Sequence, residues 1–240
     1  MDLRARAQTL RLQLRRAWLP VRYRGRTNSD ITDRFHRLYF DSHLQGKTWA
    51  DTRWFGNAVA KCPLDLWIYQ EIVVETRPDL VIETGTFKGG SALFFASMFD
   101  LIGNGQVVTV DVEQQQGLPQ HERITYLTGS STAPEIVDQM SAFAANASNV
   151  LVVLDSDHQC DHVLAELRAY SDFVSPEGYM IVEDTNVNGH PVAPEFGPGP
   201  TEAIERFLAE DDRFAVDRTQ EKFLLTFNPG GYLRRQSVTS

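Results

Sequence analysis

The sequence has little of what would take it out of the ordinary globular class. It has two cysteines in 240 residues, Cys62 and Cys160, far apart and in no metal-type spacing. That excludes a disulfide framework, and two lone thiols fit a reducing cytoplasm. No stretch approaches the roughly 20 apolar residues that a membrane span needs. There is no internal repeat and no low-complexity linker. The length suits one full α/β domain with a small extension.

Positive charge is scarce outside one segment. Residues 1–26 hold eight Arg against the single acid Asp2, a balance of +7; subtracting it from the chain's −9 leaves −16 on the rest. An acidic body does not suit phosphate backbones, so no nucleic-acid partner is expected. The basic segment lacks the apolar core of a secretory leader. Its Leu3, Ala7, Leu10, Leu14, Ala17 and Trp18 recur at helical spacing, with Arg on the opposite face. Such a helix can lie on an anionic membrane surface, or pack on its own protein or another subunit. We take the packed reading, and expect a homo-oligomer.

Regular periodicity begins at Pro63. Residues 1–62 therefore read as a helical N-terminal extension and 63–240 as the main domain. Pro63–Thr76 reads as a helix with Pro in its first turn. Short apolar runs then alternate with helical stretches. The runs are Leu80–Glu83, Val107–Val112, Ile124–Leu127, Val150–Leu154 and Tyr179–Val182. The helices between and after them are Ser91–Phe99, Pro134–Phe143, His162–Tyr170 and Pro200–Leu208. Continuous apolar strands alternating with helices imply a mostly parallel sheet covered on both faces. Phe214–Val216 and Lys222–Phe227 read as a closing antiparallel edge hairpin. This is the Rossmann-like arrangement usual in S-adenosylmethionine-dependent methyltransferases, where ligands sit at the carboxyl ends of the strands.

The first strand runs into Glu83-Thr84-Gly85-Thr86-Phe87-Lys88-Gly89-Gly90-Ser91. Gly85 permits a tight turn and close approach of backbone to a ligand. Gly89 and Gly90 open a helix whose first amides face the same crevice. The second strand ends at Asp111, where a carboxylate can accept both ribose hydroxyls. A nicotinamide cofactor would share these features. The spacing is Gly-x-x-x-Gly-Gly, however, and Glu83 at the strand end would repel a pyrophosphate but suit the cationic amino-acid end of S-adenosylmethionine.

Asp155-Ser156-Asp157-His158 ends one strand and Glu183-Asp184-Thr185-Asn186 the next. Adjacent strands lie about 4.8 Å apart, so these acids converge. Several carboxylates in a small site need a counter-charge, and a hard cation such as Mg²⁺ supplies it through oxygen ligands. Asp155, Glu183 and Asp184 are the candidate ligands; helix and loop capping is the plainer role for such acids. His158 is the candidate general base, since its unperturbed pKa of roughly 6.5 suits proton removal near neutrality. Asp157 is the rival. The Pro- and Gly-rich stretch 186–200 is long for a connector and reads as a substrate lid.

These segments resemble the cephalosporin hydroxylase and rhamnosyl O-methyltransferase family. The stretches that carry the resemblance are Pro63–Glu71, Glu83–Ser91, Leu154–His158 and Val182–Pro200, and it extends from about Trp54 to Tyr232. The resemblance implies an enzyme that uses S-adenosylmethionine and Mg²⁺ to methylate a hydroxyl, of a sugar, on a glycolipid or other glycosylated natural product. It also implies that Glu83, Gly85, Thr86, Ser91, Asp111 and Ser131 line the cofactor site. No two-His-one-carboxylate iron set is evident. The alternatives are a nicotinamide-dependent sugar oxidoreductase and a non-catalytic partner that keeps the fold.

Overall fold

The structure is a computed structural model that describes residues 28–237. The basic segment 1–26, and the amphipathic helix expected there, lie outside the described residues. Helix α1 (Asn28–Asp41) leads through two short 3-10 turns to a small hairpin of β1 (Arg53–Trp54) and β2 (Asn57–Ala58). Then come α2 (Pro63–Thr76), β3 (Leu80–Thr84), α3 (Gly90–Ile102), β4 (Gln106–Asp111) and β5 (Ile124–Thr128). The second half holds α4 (Pro134–Ala144), β6 (Val150–Leu154), α5 (Cys160–Tyr170), β7 (Tyr179–Val182), α6 (Pro200–Glu210), β8 (Phe214–Val216) and β9 (Tyr232–Arg235). Pro63, Pro134 and Pro200 each sit in a first helical turn, where proline's fixed φ fits and its missing N–H costs nothing.

The main sheet has the order β5-β4-β3-β6-β7-β9-β8. The five strands from β5 to β7 are parallel, and β9 runs antiparallel to both β7 and β8. Strand β3 lies between β4 and β6, so the connections leave it in opposite directions. The crevice at its carboxyl end is the switch point where such sheets bind ligands. Alternation along the central strands feeds two cores. Leu80 and Ile82 face Met140, Leu167 and Phe207 of α4, α5 and α6. Val81 faces Ile72 of α2 and Phe95 and Phe99 of α3. Both faces are covered, as unbroken apolar strands require.

One expected element is corrected. Lys222–Phe227 forms no strand; the strand that pairs with β8 is β9, inserted between it and β7. Leu225 and Phe227 pack instead with Cys62, Tyr39, Phe40, Trp49 and Leu64 in a third, small apolar cluster. An apolar run shows that a segment is buried, not which partner buries it. Buried Asp65 of α2 holds this loop by accepting hydrogen bonds from Thr226 Oγ1 (2.5 Å), the Phe227 amide (2.8 Å) and Tyr232 OH (3.0 Å). The next residue, Asn228, accepts the Asp184 amide at 3.1 Å. The misread segment is thus a prop beneath the acidic strand end.

Among the described residues, no helix is long and apolar enough to cross a membrane.

Candidate active site

Gly85 follows β3 with φ at +88°, and a Cβ there would lie 1.8 Å from the Asp155 carbonyl oxygen. Only glycine lets the β3 turn and the end of β6 come this close. The turn closes through Gly85 N–H to Val110 O and Asp155 N–H to Thr84 O, at 2.8 and 3.0 Å. Three strand ends therefore meet at one point.

A cavity of about 260 Å³ opens there, lined by Gly85, Asp111, Val112, Ser130, Ser131 and Asp157, with His162 among its walls. Of the sequence-derived cofactor residues, Gly85, Asp111 and Ser131 face this space. Thr86 faces an adjoining hollow that shares Asp111. Asp111 accepts the amides of Phe87 (2.9 Å) and Glu113 (3.0 Å), one on each oxygen, which fixes the carboxylate and leaves lone pairs over. Ser91 and Glu83 are buried behind the turn. Neither Glu83 oxygen has a hydrogen bond of good geometry, though Ser91 and Thr109 lie near enough to favour the anion. Burial pushes the Glu83 carboxyl up to about 7, against the pull of Lys61.

Sequence reasoning missed a polar wall of the cavity. His162 Nε2 lies 3.1 Å from both Ser131 Oγ and Ser156 Oγ. Ser156 donates to Glu166 Oε1 at 2.6 Å. Glu166 is fully buried, and its hydrogen bond to His162 raises the imidazole pKa. The available signal was the spacing: His162 and Glu166 are four apart on one helix face.

Beside the cavity lies the acid cluster. One ligand atom each from Asp155, His158 and Asp184 fall within 4.8 Å of one another. His158 Nε2 is 3.2 Å from Asp184 Oδ2. Asp184 has a left-handed φ of +53°, held there by Asn228. Glu183 comes to the same strand end but is nearly enclosed, and accepts a 2.5 Å hydrogen bond from Lys61 Nζ. Lys61 also donates to Asp155. Asp157 is exposed, caps the turn by accepting the Gln159 amide at 3.0 Å, and faces the cavity rather than the cluster. Burial and the neighbouring Asp155 charge push the Glu183 carboxyl up, and burial also pushes Asp184 up. One ammonium is too little charge for three crowded carboxylates. A hard dication fits this donor set, and its charge would relieve the strain.

Residues 186–200 form the loop that follows the acid cluster and leads into α6. The loop is bound across its width by Gly189 N–H to Val192 O and Val192 N–H to Asn186 O, at 2.7 and 3.0 Å. Helix α1 clasps it from outside: Asn186 Nδ2 and His36 Nε2 are 2.9 Å apart, and Arg37 Nε donates to Pro191 O at 2.9 Å. Glu202 ties its two ends, accepting from Gly199 N–H (2.6 Å) and Asn188 Nδ2 (2.9 Å) beside His190 Nε2 (3.0 Å). Burial pushes the Glu202 carboxyl up, but these partners outweigh it and hold it down at about 2, against 4.5 unperturbed. A depressed pKa adds stability that is fully present above pH 4.5 and lost as pH falls toward 2. Amide hydrogen exchange across residues 188–199 should therefore accelerate over that window beyond its intrinsic rate. Glu202→Gln should already exchange fast at neutral pH; equal protection in the two proteins would refute this tie.

Residues 46–236 match the family described as Rhamnosyl O-methyltransferase/CmcI. The chain is similar to the Rhamnosyl O-methyltransferase of Mycobacterium tuberculosis, with 37% identity over 220 residues, 88% of this chain and 87% of that one. The Mycobacterium leprae protein of the same name is 38% identical over 218 residues, covering 88% and 93%. Among solved structures, an apo structure of CmcI aligns with a TM-score of 0.64 and 19% identity over 82% of this chain and 84% of that one. A CmcI structure titled with Mg and SAM aligns at 0.62 and 19%, over 78% of each chain. At that identity the structural likeness speaks to the fold.

Proposed function

This chain belongs to the Rhamnosyl O-methyltransferase/CmcI family, and on that premise we propose that it methylates a sugar hydroxyl of a glycolipid or other glycosylated natural product, with S-adenosylmethionine as donor and Mg²⁺ as cofactor. The observation that carries this reading is a juxtaposition. A cavity with a ribose-type carboxylate, Asp111, opens beside the Asp155, His158 and Asp184 cluster at one end of the sheet.

Asp111 and Ser131 hold the donor at its nucleoside part, and Gly85 lets it lie against the β3 turn. Asp155, Glu183 and Asp184 are the residues that would hold the divalent ion, which when bound lowers the pKa of an acceptor hydroxyl and orients it. His158 takes the hydroxyl proton. The loop 186–200, clasped by α1, would serve as the lid on the acceptor side. The acceptor oxygen would take the donor's methyl as the methyl–sulfur bond breaks and S-adenosylhomocysteine leaves, and the main contribution of the site is near-attack alignment.

The test is transfer of labelled methyl from S-adenosylmethionine to a panel of glycosylated acceptors, with Mg²⁺ and with chelator. Metal-dependent methylation of sugar-bearing acceptors alone is expected. Methylation only of non-sugar acceptors, or transfer undiminished by chelator, would overturn the corresponding half of the reading. Asp111→Ala should weaken donor binding by about 1.5–3 kcal/mol, the scale of a hydrogen bond to a charged group. Calorimetry that finds unchanged affinity would place the ribose elsewhere.

A further inference from the structure

Lys61 has no role in the mechanism above, yet it is a buried cation at the molecule's working end. Its side chain is 4% exposed. Its Nζ bridges Asp155, just after β6, and Glu183, just after β7. Two carboxylates in direct contact favour the ammonium form. The backbone that delivers it is pinned. Lys61 N–H donates to Thr52 Oγ1 and Thr52 Oγ1 donates to Lys61 O, both at 3.1 Å. Ala60 just before it has a left-handed φ of +56°. Gly90 lets the β1–β2 hairpin sit tight on α3, since a Cβ there would lie 2.2 Å from Ala58 O. The N-terminal extension thus places one positive charge inside the acid cluster.

The charges count simply. Asp155, Glu183 and Asp184 carry three negative charges when ionised; Lys61 supplies one positive charge and a divalent ion two. Buried sites favour neutrality, because uncompensated charge in a poorly solvated site is costly. An ammonium and a dication that share the same carboxylates also repel each other. We propose that Lys61 is a resident cation of the metal site, a positioning residue that keeps the acids assembled before the ion enters and weakens the ion's hold afterwards. This rests on the reading of the acid cluster as a metal site.

The test is calorimetric titration of MgCl₂ into the full chain and its Lys61→Met and Lys61→Gln variants, with melting temperatures taken with and without the ion. Both variants should bind Mg²⁺ at least about tenfold more tightly, because a repelling charge is gone. Both should melt lower than the natural chain without Mg²⁺ and gain more on its addition. A variant too unstable without metal can be purified in Mg²⁺ and titrated with chelator, with melting as the readout. Lys61→Gln separates charge from hydrogen bonding, since its amide still donates to the acids. If it binds Mg²⁺ like the natural chain, the charge proposal is wrong. Unchanged or weaker binding by both variants overturns it as well. If neither the natural chain nor either variant binds Mg²⁺, the metal site itself is refuted and the proposal with it.

Discussion

Asp155→Asn should bring turnover down to the level of a chelator-treated control while the donor still binds. The amide is nearly isosteric and can still accept from Lys61, so the strand end should stay folded. What it loses is the anionic oxygen that a hard cation requires. Asp155 is the acid on which the two halves of the site depend: its main chain packs on Gly85 and its side chain enters the cluster. Asn keeps the first and spoils the second. Donor affinity by calorimetry and turnover across a Mg²⁺ titration read these roles separately. Full activity of the variant in chelator would dispose of the metal assignment. Loss of donor binding together with turnover would show instead that the substitution had disturbed the shared turn.

The second large effect concerns the proton. His158→Ala should retain donor and metal binding and lose roughly 10²–10⁴ in turnover, the usual contribution of a general base. The loss should shrink at high pH, where the acceptor ionises without help. His158 and its partner Asp184 are each more than a quarter exposed, at 29% and 28%, so water can replace the lost contact and the fold should tolerate it. His158→Asn should behave as Ala does, because an amide can hydrogen-bond an acceptor but cannot take its proton. Asp157→Asn is the control, since Asp157 faces the cavity and caps a turn. A nearly unimpaired His158→Ala, beside an Asp157→Asn variant rescued by high pH, would move the base to Asp157.

Much of this arrangement was legible in one dimension because it depends on local pattern. Strands β6 and β7 are unbroken apolar runs and β3 and β4 are mostly apolar, and a run that short between helices has few places to go but a covered parallel sheet. The placement of Gly85 and Asp111 at one cavity was readable because each follows or ends a strand of such a sheet. Asp155 and the Glu183–Asp184 pair were readable because each follows a strand, and neighbouring strands bring their ends together. Local pattern failed at Lys222–Phe227, which is as apolar as a strand but is consumed by packing against Cys62 and the aromatic side chains of α1 and Trp49. The short strand Tyr232–Arg235 escaped notice for the converse reason: two arginines mask an inner strand of which only Tyr232 and Leu233 are buried.

What the sequence by itself determined is the sheet, its two covered faces and the set of acids at its carboxyl end. Periodicity and strand-end chemistry are properties of neighbouring residues, and they survive in the linear order. What only the tertiary structure decided is how those acids are compensated. Lys61 lies 94 residues from Asp155 and 122 from Glu183, in a segment with no repeating pattern to announce it. Its ammonium arrives there because Thr52 and Ala60 bend the chain and Gly90 lets the hairpin pack, contacts that exist only once the extension has closed on the sheet. Charge compensation in a buried cluster is a sum over groups brought together in space, and that sum has no local signature.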